Sequence, residues 1–242
     1  MPLAIRAIPC LSDNYIWLLR DEGTGAVAVC DPGEAGPAAA ALRDWGGRLD
    51  LILLTHHHGD HVGGVEELKR EFGGQVVGNE ADARRLPPLD VAVRPGGTVE
   101  FGGSRAQVID TPGHTRGHVA FNFAGDDVLL CGDTLFSLGC GRLLEGTAEE
   151  MFRSLQALNA LPGETLVCCG HEYTESNARF ALSVDGGNAA LRAMAEAAAA
   201  LRRDGKPTVP TTLAREREAN PFLRAPDAAK LAELRSAKDN FR

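Results

Sequence analysis

The sequence predicts an α/β fold, in which layers of sheet and helix form one unit and a helical subdomain follows at the C-terminal end. Short runs rich in apolar residues, bounded by Gly and Pro, alternate with helical stretches through the first two thirds of the chain. From about Tyr173 the sequence changes to Ala, Arg and Glu at helical spacing. We therefore divide the chain into residues 1–172 and residues 173–242.

The individual elements follow from local patterns. Apolar runs between turn residues predict seven strands, at residues 16–19, 26–30, 51–54, 75–77, 105–109, 119–123 and 128–131. Between them, helices are predicted at residues 37–45, with Pro37 near the first turn, and at residues 65–72, which end before two glycines. In the tail, helices are predicted at residues 188–203, 213–218 and 227–237, separated by breakers such as Asn220-Pro221.

Composition narrows the class of protein. Hydrophobic residues make up 44% and charged residues 24%, an ordinary globular balance. The formal net charge of -8 argues against a nucleic-acid binder, which needs clustered Lys and Arg. No apolar run approaches the roughly 20 residues that span a bilayer, and Arg6 and Asp13 interrupt the N-terminus, unlike in a signal peptide. We expect a cytoplasmic protein that binds neither nucleic acid nor membrane.

The six cysteines form no CxxC pair, so neither a disulfide framework nor a zinc ribbon is expected. Several of them, such as Cys131 and Cys168, lie in apolar runs, where a free cysteine acts as a small buried hydrophobe. The cysteines also lack an evident activating partner, so we do not expect a thiol nucleophile.

Residues 55–61, Thr-His-His-His-Gly-Asp-His, place four histidines and an aspartate directly after a predicted strand. Because alternate side chains of an extended loop share a side, His56 and His58 can converge on one metal ion while Asp60 and His61 turn toward a second. Crowding so many imidazoles and a carboxylate has little use in packing and a direct use in metal binding. The segment therefore predicts a metal site.

Three further polar residues also follow apolar runs: His114, Asp133 and His171. Each alone would be an ordinary surface residue, a turn residue or a helix cap. Together they stand in loops at strand ends, where a rigid sheet commonly presents functional groups. They are candidate partners of the histidine segment.

The Thr-His-x-His-x-Asp-His motif resembles the metallo-β-lactamase superfamily, which implies an αββα sandwich with a dinuclear metal site between two sheets. Further segments of the chain resemble the glyoxalase II family of this superfamily. They are Asp13-Asn14-Tyr15-Ile16-Trp17, Cys131-Gly132-Asp133-Thr134-Leu135-Phe136, Gly139-Cys140-Gly141-Arg142, Glu145-Gly146-Thr147, Gly170-His171-Glu172-Tyr173-Thr174 and Asn220-Pro221-Phe222. The resemblance therefore covers nearly the whole chain.

The resemblance implies two divalent metal ions per chain, zinc foremost, with iron or manganese as alternatives. It assigns one ion to His56, His58 and His114, the other to Asp60, His61 and His171, and makes Asp133 the bridge between them. A hydroxide between the ions would be the nucleophile, so Asp60 and Asp133 count as catalytic residues. His57 and His118 would be supporting residues and not ligands.

The implied reaction is hydrolysis of S-D-lactoylglutathione, and of related 2-hydroxyacyl glutathione thioesters, to glutathione and a 2-hydroxy acid such as D-lactate. It would be the second step of methylglyoxal detoxification. The resemblance also implies a glutathione site built from Arg142, Tyr173, Arg235 and Lys238. Two departures weaken the match at that site: Arg142 stands where the family often has Lys, and Leu144 where some members have Tyr. We expect the protein to be a monomer.

Other activities are compatible with the same scaffold, since a fold does not determine a substrate. A β-lactamase, a lactonase or a nuclease could use the same ligands, but the helical tail with Arg235 and Lys238 favours glutathione. A mononuclear iron persulfide dioxygenase is a second class, and the full set of seven ligands argues against it. A regulatory protein without turnover is a third class, against which the intact Asp133 argues.

Overall fold

The first half of the chain forms a six-stranded sheet in a computed structural model that describes residues 3–241. Its strands lie side by side in sequence order: β1 (Leu3–Cys10), β2 (Asn14–Asp21), β3 (Val27–Cys30), β4 (Leu51–Leu53), β5 (Gln75–Asn79) and β6 (Val91–Val93). The first three strands are antiparallel and β3 to β6 are parallel. A parallel sheet needs a crossover between successive strands, and helices provide two of them.

The second half forms another six-stranded sheet and a small hairpin. The strands of the sheet, in chain order, are β7 (Thr98–Phe101), β8 (Ser104–Asp110), β9 (Val119–Phe123), β10 (Val128–Gly132), β13 (Leu166–Cys169) and β14 (Thr211–Thr212), and the hairpin consists of β11 (Leu135–Phe136) and β12 (Gly139–Cys140). Strand β13 pairs in parallel with β10, so their carboxyl ends lie at the same edge of the sheet.

Eight α-helices complete the structure of residues 3–241. They are α1 (Ala35–Asp44), α2 (Gly59–Val62), α3 (Val65–Phe72), α4 (Ala148–Asn159), α5 (Thr174–Asp185), α6 (Ala189–Arg203), α7 (Leu213–Ala219) and α8 (Ala228–Asp239). Local sequence determines where several of them begin: Thr147 and Glu150 form a capping box at α4, and the side chains of Asn188, Thr212 and Asp227 cap α6, α7 and α8. Within the described residues, none of these helices has the length and apolar character needed to cross a membrane.

Two apolar clusters fill this α/β sandwich. One packs α1 and α3 against the first sheet, through residues such as Leu42, Leu68 and Ile52. The larger one joins both sheets and includes residues of α4 and α8. The Trp17 side chain, fully within this core, donates its Nε1–H to the carbonyl oxygen of Cys169 at 2.8 Å and so joins the two sheets directly.

The predicted fold class is confirmed, and each predicted strand and helix overlaps an element of the structure. Several elements were not predicted, among them β1, β7 and helices α4 and α5. Strand β1 is only partly buried and contains Arg6 and a proline, so its sequence lacks a continuous apolar run. Strand β7 is four residues long and alternates exposed Thr98 and Glu100 with buried neighbours.

Candidate metal centre

Four loops at strand ends bring the predicted ligands together. His56 and His58 lie in the loop after β4, and the short helix α2 carries Asp60 and His61. The loop between β8 and β9 presents His114. The remaining two predicted ligands directly follow paired strands, Asp133 after β10 and His171 two residues after β13.

His56, His58 and His114 form the first trio, with ligand atoms within 4.8 Å of one another. The Nδ1 atom of His58 lies 3.1 Å from Nε2 of His56 and 3.0 Å from Nε2 of His114. Three ring nitrogens thus face a common point, as expected for ligands of one ion.

Asp60, His61 and His171 form the second trio by the same criterion. The Nε2 atoms of the two histidines are 3.3 Å apart, and Oδ2 of Asp60 lies 3.6 Å from His61 and 3.5 Å from His171. Asp133 lies between the trios: Oδ2 is 3.4 Å from Nε2 of His114 and 3.3 Å from Nε2 of His171. The structure therefore brings all seven predicted ligand residues together.

Hydrogen bonds to the Nδ1 atoms of three ligand histidines orient their rings, so that Nε2 points into the centre. His171 Nδ1 faces a carboxylate oxygen of Asp13 at 2.9 Å, and His114 Nδ1 faces the carbonyl oxygen of Arg142 at 2.9 Å. His61 Nδ1 lies 3.0 Å from a carboxylate oxygen of Asp31. These oxygens only accept hydrogen bonds, so each Nδ1 carries a proton and each Nε2 is the nitrogen that faces the centre.

Asp31 and Thr55 organise His56 in the same way. The Thr55 hydroxyl lies 2.6 Å from Oδ2 of Asp31, to which it donates, so its oxygen accepts from Nδ1 of His56 at 3.0 Å. The Thr55 backbone N–H donates to the other Asp31 oxygen at 2.8 Å. Asp31 thus orients one histidine of each trio. Sequence reasoning did not identify it, although its place directly after β3 resembles that of Asp133 after β10.

Burial keeps the first trio in the neutral form that binds metals. Burial lowers the pKa of His56 well below the ordinary histidine value and also lowers those of His58 and His114, and the neighbouring rings add to the effect at all three. Burial also lowers the pKa of His61, but three nearby carboxylates raise it, Asp133 most strongly. Their effect is the larger one, so the pKa of His61 is raised to about 9. The second trio is therefore surrounded by more negative charge than the first.

The residues at the centre fit divalent metal ions. Oδ1 of Asp133 is buried and has no hydrogen-bond partner within residues 3–241, a costly arrangement unless a cation binds there. Gly170 keeps this space open, since a Cβ atom at that position would lie 2.5 Å from Oδ1. Gly132 adopts a φ of 45°, and its Cβ would lie 2.3 Å from the Thr55 hydroxyl, so only glycine is compatible with Asp133 in this position.

The other two histidines support the centre from outside. His118 is buried, and its Nε2 accepts the backbone N–H of Asp133 at 3.1 Å. His57 turns away from the trios, with Nδ1 3.1 Å from a carboxylate oxygen of Asp82. Neither belongs to a trio.

The four predicted substrate residues line one cavity of about 200 Å³, which we call the tail groove. Its walls come from the β11–β12 hairpin and helices α5 and α8: Phe136, Cys140, Arg142, Tyr173, Ser176, Asn177, Arg235 and Lys238. The Tyr173 ring stacks on the ring of His171, with centroids 4.6 Å apart. The groove therefore begins at a candidate metal ligand.

The cationic side chains of the groove differ in how far they are buried and hydrogen-bonded. Arg235 is buried, and its guanidinium donates to the carbonyl oxygen of Cys140 at 2.7 Å and to Asp239 at 2.9 Å. The Lys238 ammonium is half-buried and donates to the Ser176 hydroxyl at 3.0 Å. Arg142 has a side chain that is 69% exposed. Burial, with nearby arginines, lowers the pKa of Lys238 to about 8.

The fold and the paired trios define the class of protein. The sequence model of the metallo-β-lactamase superfamily matches residues 12–171, and that of the hydroxyacylglutathione hydrolase C-terminus matches residues 172–241. Among solved structures, ETHE1 from Myxococcus xanthus is similar, with a TM-score of 0.74 and 25% identity over 96% of this chain and 90% of that chain. A protein described as TTHA1623 in a di-iron-bound form has a TM-score of 0.56 and 32% identity, over 68% of this chain and 90% of that chain.

Full-length relatives identify the family within this superfamily. A hydroxyacylglutathione hydrolase of Methylococcus capsulatus is 52% identical, with 99% of each chain covered. One of Acidiphilium cryptum is 55% identical, with 98% of this chain and 96% of the relative covered. The chain therefore belongs to the hydroxyacylglutathione hydrolase family, also called glyoxalase II.

Proposed function

We propose that the protein hydrolyses hydroxyacyl thioesters of glutathione, S-D-lactoylglutathione foremost, at a centre that holds two divalent metal ions. The observation that carries this proposal is the convergence of two ligand trios on Asp133, next to a groove with cationic side chains. Relatives with about half of their residues identical over their full length bear the name of this activity. Zinc suits the His and Asp donors, and iron or manganese are the alternatives.

Each trio would hold one ion, and Asp133 would bridge them. The di-iron-bound form of a solved relative supports a count of two. When bound, such ions polarise a carbonyl group and lower the pKa of a coordinated water toward neutrality. The protein keeps the ligand atoms in place before substrate arrives, because partners that only accept hydrogen bonds hold the outer ring nitrogens of His61, His114 and His171.

The tail groove would bind the glutathione part of the substrate. Glutathione carries carboxylates, so a protein of net charge -8 must supply cationic groups locally. Arg142 and Lys238 present such groups, while buried Arg235 holds the hairpin at Cys140. The Tyr173 hydroxyl keeps its proton, because burial raises its pKa above the ordinary tyrosine value. We propose that residues 1–172 supply the metal centre and residues 173–242 most of this groove.

Thiolate chemistry simplifies what the chain must provide. A thiolate is a weak enough base to leave without a protein acid, so the chain needs to orient the thioester and not to protonate it. Two complete trios favour this dinuclear hydrolase over a mononuclear dioxygenase, which would need only one. The cytoplasmic location and the monomeric state stay predictions.

One experiment tests the proposal directly. Metal per chain is measured on the purified protein, and hydrolysis of S-D-lactoylglutathione is followed before and after treatment with a chelator. We expect two ions per chain, loss of activity on chelation and recovery with zinc, iron or manganese. Hydrolysis that survives complete metal removal, or a fully loaded protein that does not cleave the thioester, would refute it.

A further inference from the structure

Asp13, at the end of the turn between β1 and β2, and Asn14, the first residue of β2, contact two ligands of the second trio. The Asp13 carboxylate lies 2.9 Å from Nδ1 of His171, and the Asn14 amide donates to Oδ2 of Asp60 at 2.9 Å and to the Asp60 carbonyl oxygen at 3.2 Å. Asp13 has a side chain that is 40% exposed, so it contributes little to the core, whereas Asn14 is buried. Two adjacent residues thus orient a histidine and a carboxylate that face the same point.

The backbone where this turn enters β2 holds the chain on both sides of His171. The Tyr15 N–H donates to the carbonyl oxygen of Gly170, and the Glu172 N–H donates to that of Asp13, both at 2.8 Å. Asn14 and His171 form an isolated bridge between the two segments. The position of His171 therefore depends on this turn through main-chain and side-chain contacts.

The first trio has different supports. The Thr55 hydroxyl orients His56, and the carbonyl oxygen of Arg142 orients His114. Asp31 supports both trios, since it contacts His61 directly and His56 through Thr55. The supports of the two sites are thus largely separate.

We propose that Asp13 and Asn14 are positioning residues for one metal site only, the site of Asp60, His61 and His171. This inference rests on the proposed dinuclear centre. Asp13 fixes the proton of His171 on Nδ1 and thereby presents Nε2 to the ion, and Asn14 aims one oxygen of Asp60 at the same ion. Loss of either residue weakens that site and leaves the first site loaded.

The test uses ¹¹³Cd²⁺ as the probe, because its NMR spectrum reports the two sites as separate resonances. The parent is expected to show two resonances. In Asp13→Ala and in Asn14→Ala, one resonance persists, and the other appears only at cadmium concentrations about 10- to 100-fold higher. Asp13→Asn, which keeps an acceptor without the charge, is expected to lie between parent and Asp13→Ala.

Two controls separate positioning from a general effect on folding. Ser12→Ala changes an exposed residue of the same turn and is expected to leave both resonances in place. Asp31→Asn keeps a residue type compatible with the φ of 51° at this position and is expected to weaken both sites. Thermal unfolding of each metal-free variant shows whether it folds.

Three results would overturn the inference. A folded Asp13→Ala protein that keeps both resonances at parental cadmium concentrations would remove the positioning role. Equal weakening of both sites would make the turn a general structural element. A parent with fewer than two resonances would contradict the dinuclear centre itself, which distinguishes that failure from the other two.

Discussion

The metal centre and the tail groove are adjacent but are built differently. At the centre, hydrogen-bond partners hold the rings of four ligand histidines, so the orientation of each ring is determined before any ligand binds. In the groove, only Arg235 is fully held, while Lys238 is half-buried and Arg142 projects into solvent. The metal ligands are thus preorganised, whereas the groove depends on cationic side chains that are less firmly held. Substitutions should therefore have larger effects at the centre than in the groove.

The largest effect is expected for Asp133→Ala. Because Asp133 faces both trios, its loss should lower metal content at both sites and reduce kcat/KM about 1,000-fold or more, since metal ions contribute several kcal/mol to such reactions. Metal per chain and thioester hydrolysis are measured on the same preparation.

His57→Ala is the matched control for Asp133→Ala, because His57 faces Asp82 and belongs to neither trio. Its metal stoichiometry should stay near the parental value. An Asp133→Ala protein that keeps two ions and full activity would remove the bridging assignment.

A smaller loss is expected for Lys238→Ala. A hydrogen bond between a charged pair contributes about 1.5 to 3 kcal/mol, so KM for the glutathione thioester should rise about 10- to 100-fold. The effect should fall on KM, because the contact lies away from the reacting carbonyl. The KM for a small uncharged thioester should hardly change in Lys238→Ala. Lys230 is an exposed lysine of the same helix, and Lys230→Ala should leave KM unchanged for both substrates. An equal loss for both substrates would exclude Lys238 from glutathione binding.

Raising the pH should reproduce part of this loss. The pKa of Lys238 is lowered to about 8, so the side chain is cationic below this pH and loses its charge above it. We expect kcat/KM for the glutathione thioester to fall above pH 8. Lys238→Arg, which stays charged, is the control and should lack this component. A parent and a Lys238→Arg variant with identical profiles would contradict the assignment.

Arg142→Ala should have only a small effect. Its side chain is largely exposed and lies 3.7 Å from Asp239, and exposed ion pairs contribute about 0.2 to 1 kcal/mol. KM should therefore rise about 1.5- to 5-fold. A loss as large as that of Lys238→Ala would show that Arg142 becomes buried when substrate binds.

Thiol alkylation at neutral pH is expected to leave the thioester hydrolase activity unchanged. All six cysteines are buried. Burial raises the pKa of Cys140, which lines the groove, to about 11 and that of Cys169 to about 12, so both remain unreactive thiols. Inactivation by an alkylating reagent with both metal ions still bound would indicate a role for a thiol that the structure does not support.

The metal centre and the tail groove also differ in how much of each could be predicted from the sequence. The ligands of the centre lie at strand ends and include a dense histidine segment, so residue type and position predicted a metal site. The family resemblance supplied the grouping of the seven residues into two trios and a bridge. Asp31 escaped prediction, because a single Asp after a strand has no signal of its own until Thr55 and His61 are placed beside it. Likewise, the resemblance implied a role for Arg235 in binding glutathione but did not indicate that packing against Cys140 and Asp239 buries this residue.

The long separation between Asp13 and His171 has a consequence for biosynthesis. These partners are 158 positions apart in the chain, whereas His56, His58 and His114 lie within a much shorter stretch. At a synthesis rate of about 5–20 residues per second, the nascent chain contains a complete first trio several seconds before His171 is made. Strand β13 must then pair with β10 before His171 reaches its place. The three histidines of the first trio are therefore synthesised well before the second trio is complete.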